Sequence, residues 1–277
     1  MLLLKSRNQP ETTLLWRVLQ CSVLCCCALY VSIIGNEAKR GGTQVNVAEQ
    51  KYRHELKYVI SAAQVPLLKS RIAHLMRPDS HAGTDGIYSI RSLYFDDYRN
   101  RCYYENENGT DPREKFRIRI YNHSTDRITL ECKRKERGKT HKTSCPLTLE
   151  QAEQLIRGKT LPQANTLPPL LRKLLLQMQT TGLRPVVIVE YERIPYVYKN
   201  GNVRVTFDTQ ISTSSDVADF FAETLLRKPI MPVGQHLLEV KFDEYLPDFI
   251  YRSLNLGVLQ QTAYSKYYLC RKHALHK

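Results

Sequence analysis

The sequence predicts a mixed α+β fold, an eight-stranded antiparallel β-barrel with helices covering its outside. About eight segments alternate apolar and polar residues, which is the pattern of strands with one buried face. Their short connections favour antiparallel neighbours. Many of these strands carry mostly positive charge on the polar face. A barrel separates an inner from an outer face, so we expect the apolar side to lie outside, beneath helices, and the charged side to line a hydrated tunnel.

The hairpin Lys115–Arg134 follows this pattern most clearly. Successive side chains of a strand point to opposite faces. One face of the hairpin therefore carries Lys115, Arg117, Arg119, Tyr121, Thr129, Glu131, Lys133 and Lys135. The opposite face carries Phe116, Ile118, Ile120, Ile128, Leu130 and Cys132. A face of nearly one sign, with a single carboxylate in it, predicts binding of a polyanion.

The other elements follow from the different periods of strands and helices. Further strands are predicted over Tyr52–Ile60, Ile87–Asp96, Lys139–Cys145, Pro185–Pro195, Val203–Asp208 and Leu237–Phe242. Helices are predicted from the cap Ser61 to about Met76, and over Thr148–Gly158, Leu167–Gln179, Ser215–Leu226 and Leu246–Leu254. The polar segment Arg99–Asp111 is expected to be irregular. The apolar helix Leu167–Gln179 is the expected cover of the barrel.

Composition narrows the class of partner. The 277 residues carry a formal net charge of +14, which favours nucleic acid, a membrane surface or a small polyphosphorylated molecule. The eight cysteines include no paired CxxC or HxxxH pattern, so a structural zinc site is not expected. The cysteines are typical of a reduced, intracellular catalytic region.

The first 48 residues differ from the rest and are predicted to form a separate leader. Residues 14–34 are mostly apolar and about long enough to span a bilayer, although Arg17 and Gln20 interrupt them. A signal peptide is less favoured because no clear cleavage site follows, and a mistaken start site before Val45 is a third alternative. We expect residues 49–277 to form a cytoplasmic catalytic domain. If residues 14–34 are a true anchor, they would attach it to a membrane, next to a membrane-protein partner.

Common catalytic motifs are missing from the sequence. Residues 138–140 and 158–160 both read Gly-Lys-Thr, as a P-loop ends, but Lys133 and Glu153 occupy the places of the required earlier glycine. The patterns GxSxG, HExxH and GxGxxG do not occur. The sequence therefore does not predict a P-loop NTPase, an α/β-hydrolase, a zinc protease or a dinucleotide-binding enzyme.

The charges predicted to face inward form one constellation. They are Arg53, Glu55, Lys57, Lys115, Arg117, Arg119, Glu131, Lys133, Lys142, Arg193, Arg204, Glu239, Lys241 and Lys266. Like charges about 4 Å apart repel by about 1 kcal/mol per pair even in water. A chain of phosphates would neutralise them, with forked contacts from Arg and point charges from Lys. Glu239, with Glu55 or Glu131, would hold a divalent cation that bridges phosphate oxygens.

A series of short motifs resembles one known family. The motifs are Arg-His-Glu-Leu-Lys-Tyr at 53–58, Leu-Tyr-Phe-Asp at 93–96, Phe-Arg-Ile-Arg-Ile-Tyr at 116–121, Glu-Cys-Lys at 131–133, Tyr-Glu-Arg at 191–193, Val-Arg-Val-Thr-Phe-Asp at 203–208, Leu-Glu-Val-Lys at 238–241 and Tyr-Ser-Lys-Tyr at 264–267. In this order they resemble the VTC domain, the polyphosphate polymerase domain of the vacuolar transporter chaperone complex. The resemblance covers roughly residues 49–272 and places the chain among the triphosphate tunnel metalloenzymes of the CYTH-like superfamily.

The resemblance implies a function and a role for each matched residue. It implies transfer of the ATP γ-phosphate onto a growing inorganic polyphosphate chain, with Mn²⁺ or Mg²⁺ and without nucleic acid. The implied catalytic residues are Lys57, Arg117, Arg119, Lys133, Arg193, Arg204, Lys241 and Lys266. Implied substrate contacts are Arg53, Tyr58, Tyr94, Lys115 and Lys142, of which the two tyrosines would border the nucleotide. Glu239 would bind the metal, assisted by Glu55 or Glu131.

One departure from the wider superfamily affects the expected reaction. The first strand reads Arg-x-Glu-x-Lys, with Arg53 where the hydrolytic tunnel enzymes carry a glutamate. The loss of one metal-binding carboxylate favours polymerisation over two-metal hydrolysis. The alternatives are a triphosphatase of the same fold, a non-catalytic polyphosphate receptor, and a nucleic-acid-binding protein favoured by charge alone.

Overall fold

The computed structural model describes residues 52–162 and 166–275 of the chain. The predicted leader and its apolar stretch at 14–34 lie outside these residues. Within the two described ranges, no helix is both long and apolar enough to cross a membrane.

Ten strands and six helices make up the described fold, together with 3₁₀ turns at Asn200–Asn202 and Val217–Phe221. The strands are β1 (His54–Ser61), β2 (Arg77–Pro78), β3 (Tyr88–Asp96), β4 (Arg113–Tyr121), β5 (Ser124–Glu136), β6 (Lys139–Leu147), β7 (Arg184–Tyr198), β8 (Val203–Ser214), β9 (Lys228–Pro229) and β10 (Gln235–Phe242). The helices are α1 (Gln64–Ala73), α2 (Arg101–Glu107), α3 (Leu149–Ile156), α4 (Pro169–Thr181), α5 (Asp248–Ser253) and α6 (Lys266–Leu275).

The eight long strands form one antiparallel sheet that curls until its two ends meet. Its order is β1-β10-β8-β7-β3-β4-β5-β6, and the two-residue strands β2 and β9 pair with β7 and β8. Between the terminal strands, Arg53 and Thr140 exchange two backbone hydrogen bonds of 3.0 and 3.1 Å. This confirms the predicted fold class, with a seam held by a single bridge and not by a continuous ladder.

The hydrophobic core lies outside the curled sheet, as the alternation predicts. Phe116 and Ile118 on β4 pack in one cluster with Leu171 and Leu174 of α4, all almost completely buried. On the other side, the outward residues of β1, β8 and β10 pack with helices α1 and α5. Burial of each such side chain contributes about 1.5–3 kcal/mol to the stability of the fold. The packing of the helices against the outer face therefore stabilises the sheet in its curled form.

Helix α3 begins where its sequence predicts. Thr148 and Gln151 form a capping box, in which the Thr148 hydroxyl accepts from the Gln151 N–H at 3.2 Å and the Gln151 amide oxygen accepts from the Thr148 N–H at 3.1 Å. Two donors that the first turn leaves without intrahelical partners are thereby satisfied.

The prediction that residues 99–111 are irregular was wrong, because helix α2 occupies Arg101–Glu107. The Asp96 carboxylate accepts from the backbone N–H groups of Cys102 at 2.8 Å and Tyr103 at 3.2 Å. The start of this helix is thus stabilised by a side chain on the preceding strand. The helix propensity of residues 99–111 alone gives no indication of that contact.

The predicted helix over 215–226 was also wrong, because only a 3₁₀ turn forms there. The buried guanidinium of Arg91 donates to the carbonyl groups of Phe220 at 2.9 Å and Ala222 at 2.5 Å. An α-helix would direct these carbonyls along its own axis, so the contact with Arg91 favours the irregular path.

Candidate functional site

The curled sheet encloses a cavity of about 670 Å³ to which all eight long strands contribute. Its lining includes all but two of the predicted site residues, namely Arg53, Glu55, Lys57, Tyr94, Lys115, Arg117, Arg119, Lys133, Lys142, Arg193, Arg204, Glu239, Lys241 and Lys266. The two exceptions are Tyr58 and Glu131. The inward face therefore carries eleven of the predicted cations and two of the predicted carboxylates, Glu55 and Glu239.

Strand register explains why these residues meet. Paired residues on antiparallel strands share a face and lie about 5 Å apart. Lys57 pairs with Glu239, and Glu55 pairs with Lys241, which in turn pairs with Arg204. Across β1 and β10 each lysine is paired with a glutamate, whereas Lys241 and Arg204 are two cations paired on the neighbouring strands β10 and β8.

Glu55 and Glu239 form a carboxylate pair on neighbouring strands. Lys57 Nζ lies 3.5 Å from Glu55 Oε1 and 3.6 Å from Glu239 Oε1. Lys241 Nζ lies 3.7 Å from Glu55 Oε1 and 2.7 Å from Glu239 Oε2. Lys133 adds a contact of 2.6 Å to Glu55 Oε2. These shared lysines bring the two carboxylates into a single site.

The surroundings keep both carboxylates ionised. Burial opposes the charge on Glu55, but Lys133 and Lys57 outweigh it and lower its pKa to about 2. For Glu239 burial is again opposed, here by Lys241 and Lys266, and the pKa is held well below its usual range. The same burial makes it harder for a neighbouring lysine to stay charged. It lowers the pKa of Lys133 to about 8, although Glu55 acts to raise it.

The carboxylate pair offers oxygen atoms, which are the ligands that hard divalent cations take. Glu55 Oε1 is buried and accepts no hydrogen bond from the described residues, although Lys57 and Lys241 lie 3.5 and 3.7 Å away, so this oxygen could still coordinate a cation. Among the described residues no group of three or more His, Cys, Asp or Glu side chains is placed to hold a metal. A cation here would take its other ligands from water and substrate, which is the usual habit of Mg²⁺.

Glu131 lies apart from this pair and engages the arginines. Its Oε2 accepts from Arg117 Nε at 2.7 Å and Nη2 at 2.5 Å and lies 3.8 Å from Arg119 Nη1. Lys142 Nζ lies 3.1 Å from the other oxygen, Oε1. Burial opposes ionisation, but Arg117 and Arg119 dominate and lower the Glu131 pKa. The structure thus places Glu131 where it orients cations, while its predicted role as a metal ligand stays a prediction.

Asp208 is a central residue of the site that the sequence reasoning missed. It is fully buried and accepts from Arg193 Nε and Nη2, both at 2.7 Å, in a forked pair. Lys266 Nζ lies 2.6 Å from Asp208 Oδ2. Burial opposes its charge, but Arg193 and Lys266 lower its pKa. A signal was present, because Asp208 lies four residues after Arg204 on the same strand and therefore on the same face.

Two helices close around one region of the cavity. Lys115 Nζ donates to Asn106 Oδ1 at 2.6 Å and lies 4.8 Å from the centre of the Tyr267 ring. Burial lowers the pKa of Lys115 to about 7, and Arg113 acts in the same direction. Nearby, the Tyr94 hydroxyl accepts from Arg117 Nη1 at 2.8 Å. Asn106 on α2 and Tyr267 on α6 were not predicted, since both helices were missed.

Tyr58 lies on the outer face of β1, because it follows the inward Lys57 by one residue. It is 3 % exposed and packs in the hydrophobic cluster beneath helices α1 and α5. The predicted contact with a nucleotide in the cavity would require Tyr58 to reach through the sheet, and Tyr58 is not among the residues that line the cavity.

Comparison with known proteins identifies a family. A family model described as the VTC domain matches residues 52–275. No curated protein matches the chain significantly.

Several solved structures are distantly similar. A candidate adenylate cyclase of Bacillus halodurans is 14 % identical, with a TM-score of 0.45 over 77 % of this chain and 95 % of that one. The PH1819 protein of Pyrococcus horikoshii is 14 % identical, with a TM-score of 0.43 over 80 % and 99 %. A candidate adenylyl cyclase of Hippeastrum, described as having a dominant triphosphatase activity, is 12 % identical, with a TM-score of 0.44 over 80 % and 96 %. At TM-scores below 0.5 these likenesses carry no weight for activity or substrate.

Proposed function

Because this chain belongs to the VTC domain family, we propose that it is an ATP-dependent polyphosphate polymerase, a phosphotransferase with a phosphate chain as acceptor. The observation that carries the proposal is the lining of the barrel cavity, where cations from all sides surround one pair of carboxylates. Such a lining suits a linear anion with many charges. Tyrosine rings also line the cavity, among them Tyr94, Tyr191 and Tyr267, so the preference for a phosphate chain over a nucleic acid rests on the number of cations and not on a lack of aromatic surface.

Preorganisation of the arginines supports binding of phosphoryl groups. Glu131 fixes the guanidinium of Arg117, and Asp208 fixes that of Arg193. Cations held in place by buried carboxylates need little reorganisation when charge develops on a transferring phosphoryl group. Arg also presents two parallel N–H groups to phosphate oxygens.

The proposed reaction is one in-line phosphoryl transfer. A terminal oxygen of the polyphosphate chain attacks the γ-phosphorus of ATP, the bond to the β,γ-bridging oxygen breaks, and ADP leaves with that oxygen. The cavity cations stabilise the negative charge on the transferring and leaving groups. Glu55 and Glu239 would hold the divalent cation, which supplies further charge neutralisation on phosphate oxygens when bound.

The environment of Arg53 favours polymerisation over hydrolysis. Its Nε lies 3.0 Å from Asp243 Oδ1, and its Nη2 donates to the Asn202 carbonyl. The position therefore adds a cation, not a third carboxylate, beside Glu55 and Glu239. This composition favours retention of a long anionic acceptor over activation of water.

The test is product analysis with the purified full-length chain, ATP and Mn²⁺ or Mg²⁺. The proposal predicts long polyphosphate, resolved by gel electrophoresis, in amounts that match the ADP formed. Free phosphate as the sole product would instead identify a triphosphatase, and tight polyphosphate binding without ATP consumption would identify a receptor.

A variant of the carboxylate pair sharpens the test. Glu239→Gln should abolish turnover and leave polyphosphate binding largely intact, because it removes a predicted metal ligand and no cation. The matched control is Glu244→Gln, at an exposed position near the end of the same strand. Full activity of Glu239→Gln would remove Glu239 from the proposed metal site.

A further inference from the structure

A second, smaller basic groove adjoins the barrel cavity. It has a volume of about 600 Å³ and is lined by Arg53, Leu75, Arg77, Val197, Tyr198, Lys199, Asn202, Val203 and Arg204. No carboxylate appears in this lining. Arg53 and Arg204 line both the groove and the cavity, so the two spaces share a wall.

The register of the sheet explains how the groove continues the cavity. Lys241 on β10 pairs with Arg204 on β8, Arg204 pairs with Val197 on β7, and Val197 pairs with Arg77 on β2. Paired residues share a face of the sheet. The inward face therefore extends beyond the barrel cavity and onto β2. Arg77 then lies two strand spacings, about 10 Å, from Arg204.

Two of the four cations in the groove form no ion pair within the described residues, whereas the two that also line the cavity do. Arg53 is held by Asp243, and Arg204 Nη2 lies 2.6 Å from Asp79 Oδ2. Arg77 and Lys199 are both exposed, and neither forms an ion pair with any residue in the described ranges. Folding therefore leaves two positive charges in the groove without a partner, beside an apolar floor that includes Val197.

We propose that this groove binds the continuation of an inorganic polyphosphate chain whose other part lies in the barrel cavity. The identity of the ligand rests on the proposed function, whereas the path of the chain rests on the residues that line the groove. A separate small anion is less favoured because Lys241, Arg204 and Arg77 lie in one row across the sheet, in which only Val197 separates Arg204 from Arg77. In this arrangement Arg77 and Lys199 contact only chains that are too long for the cavity alone.

The test compares ligands of different length on the full chain. The variant Arg77→Gln/Lys199→Gln should lose about twenty-fivefold in affinity for polyphosphate of about one hundred units, since each of the two lost cation–phosphate contacts is worth about a factor of five in water. Its affinity for tripolyphosphate should stay within about twofold of wild type. The salt dependence of long-chain binding should also become shallower, because fewer counterions are released.

The matched control is Lys159→Gln/Arg172→Gln, which removes two exposed positive charges that line neither space. An equal loss in the control would overturn the proposal in favour of a net-charge effect. Unchanged long-chain affinity in the groove variant would also overturn it. A second tripolyphosphate site in the wild type that disappears in the groove variant, seen by calorimetry, would replace the continuous path with an independent anion site.

These outcomes are separable from failure of the proposed function. Binding is measured without ATP, so a chain that binds long polyphosphate through the groove but makes none would refute the polymerase and keep the groove. If the protein makes polyphosphate and the groove variant prefers long polyphosphate as strongly as wild type does, the result would support the polymerase and refute the groove.

Discussion

Replacement of Asp208 by asparagine tests whether the cations of the barrel depend on buried carboxylates. The Asp208 carboxylate is fully buried and contacts Arg193 twice and Lys266 once. Asparagine preserves the shape of the side chain and removes its charge. Arg193 and Lys266 would then be adjacent buried cations, with Glu239, 3.4 Å from Arg193, as the remaining nearby carboxylate.

The expected cost follows from breaking a buried ion pair from one side. Such changes typically destabilise by about 3–5 kcal/mol, because the remaining charge stays buried without compensation. For a domain of about 150–250 residues, each kcal/mol lowers Tm by about 2–4 °C. The variant Asp208→Asn should therefore unfold about 6–20 °C below the wild type in the absence of ligand.

Bound tripolyphosphate should reverse part of this loss. Its oxygens can take the place of the missing carboxylate beside Arg193 and Lys266, and a ligand that binds only the folded state raises Tm. We expect the stabilisation by tripolyphosphate to be larger for the variant than for the wild type. Thermal unfolding followed by circular dichroism, with and without ligand, measures both quantities.

Two results would refute this reasoning. A Tm within about 2 °C of wild type would mean that the cations do not need Asp208. An equal ligand-induced shift in both proteins would mean that tripolyphosphate does not approach Arg193 and Lys266. The control Asp126→Asn, at an exposed position, should change the free energy of unfolding by less than about 0.5 kcal/mol.

Two further predictions concern pH and the covering helices. Because the pKa of Lys115 is lowered to about 7, its positive charge is present below that pH and lost above it, so tripolyphosphate affinity should fall as pH rises from 6.5 to 8.5. Calorimetry on Lys115→Gln should give a flatter profile, in which the remaining slope near pH 8 reflects Lys133, and an identical profile would contradict the assignment. Thr148→Ala should lower Tm by about 2–4 °C through loss of about 1 kcal/mol of capping. Its polyphosphate affinity should not change, whereas Thr148→Ser should restore the stability.

The parts of the fold that depend on local periodicity were predictable from the sequence. Alternation along Lys115–Arg134 predicted most of the hairpin side chains that line the cavity, with Thr129 and Glu131 as the exceptions, and Thr148 marked the start of its helix. The errors lie where a side chain outside the segment decides its local structure. Helix α2 depends on Asp96, which is only six residues before Cys102 but whose contact forms only once β3 is in place. The irregular path after β8 depends on Arg91, which is 129 residues before Phe220 and outside any window of sequence around that segment.

The site was predictable to the same degree and for the same reason. Residues that follow a strand's period were placed in the lining. Asp208 also follows that period, but its role as the partner of Lys266, on a helix 58 residues later, is not visible in the strand itself. Asn106 and Tyr267 were missed because they enter the cavity from helices α2 and α6. The contacts between residues on different elements depend on the strand register and on how the two ends of the sheet meet. The residue pattern within a single strand contains no information about either.

The carboxylates inside the barrel also determine which anions it can select. Each of the four, Glu55, Glu131, Asp208 and Glu239, is already paired with two or more cations, so a ligand must compete with internal partners. A single orthophosphate would exchange one such contact for another and would bear the full cost of lost translational and rotational freedom. A phosphate chain bears that cost once and gains a contact at every cation it passes, so its affinity rises with length. The internal pairing therefore compensates the charges of the buried cations and, under the proposed function, would favour long chains over single phosphates.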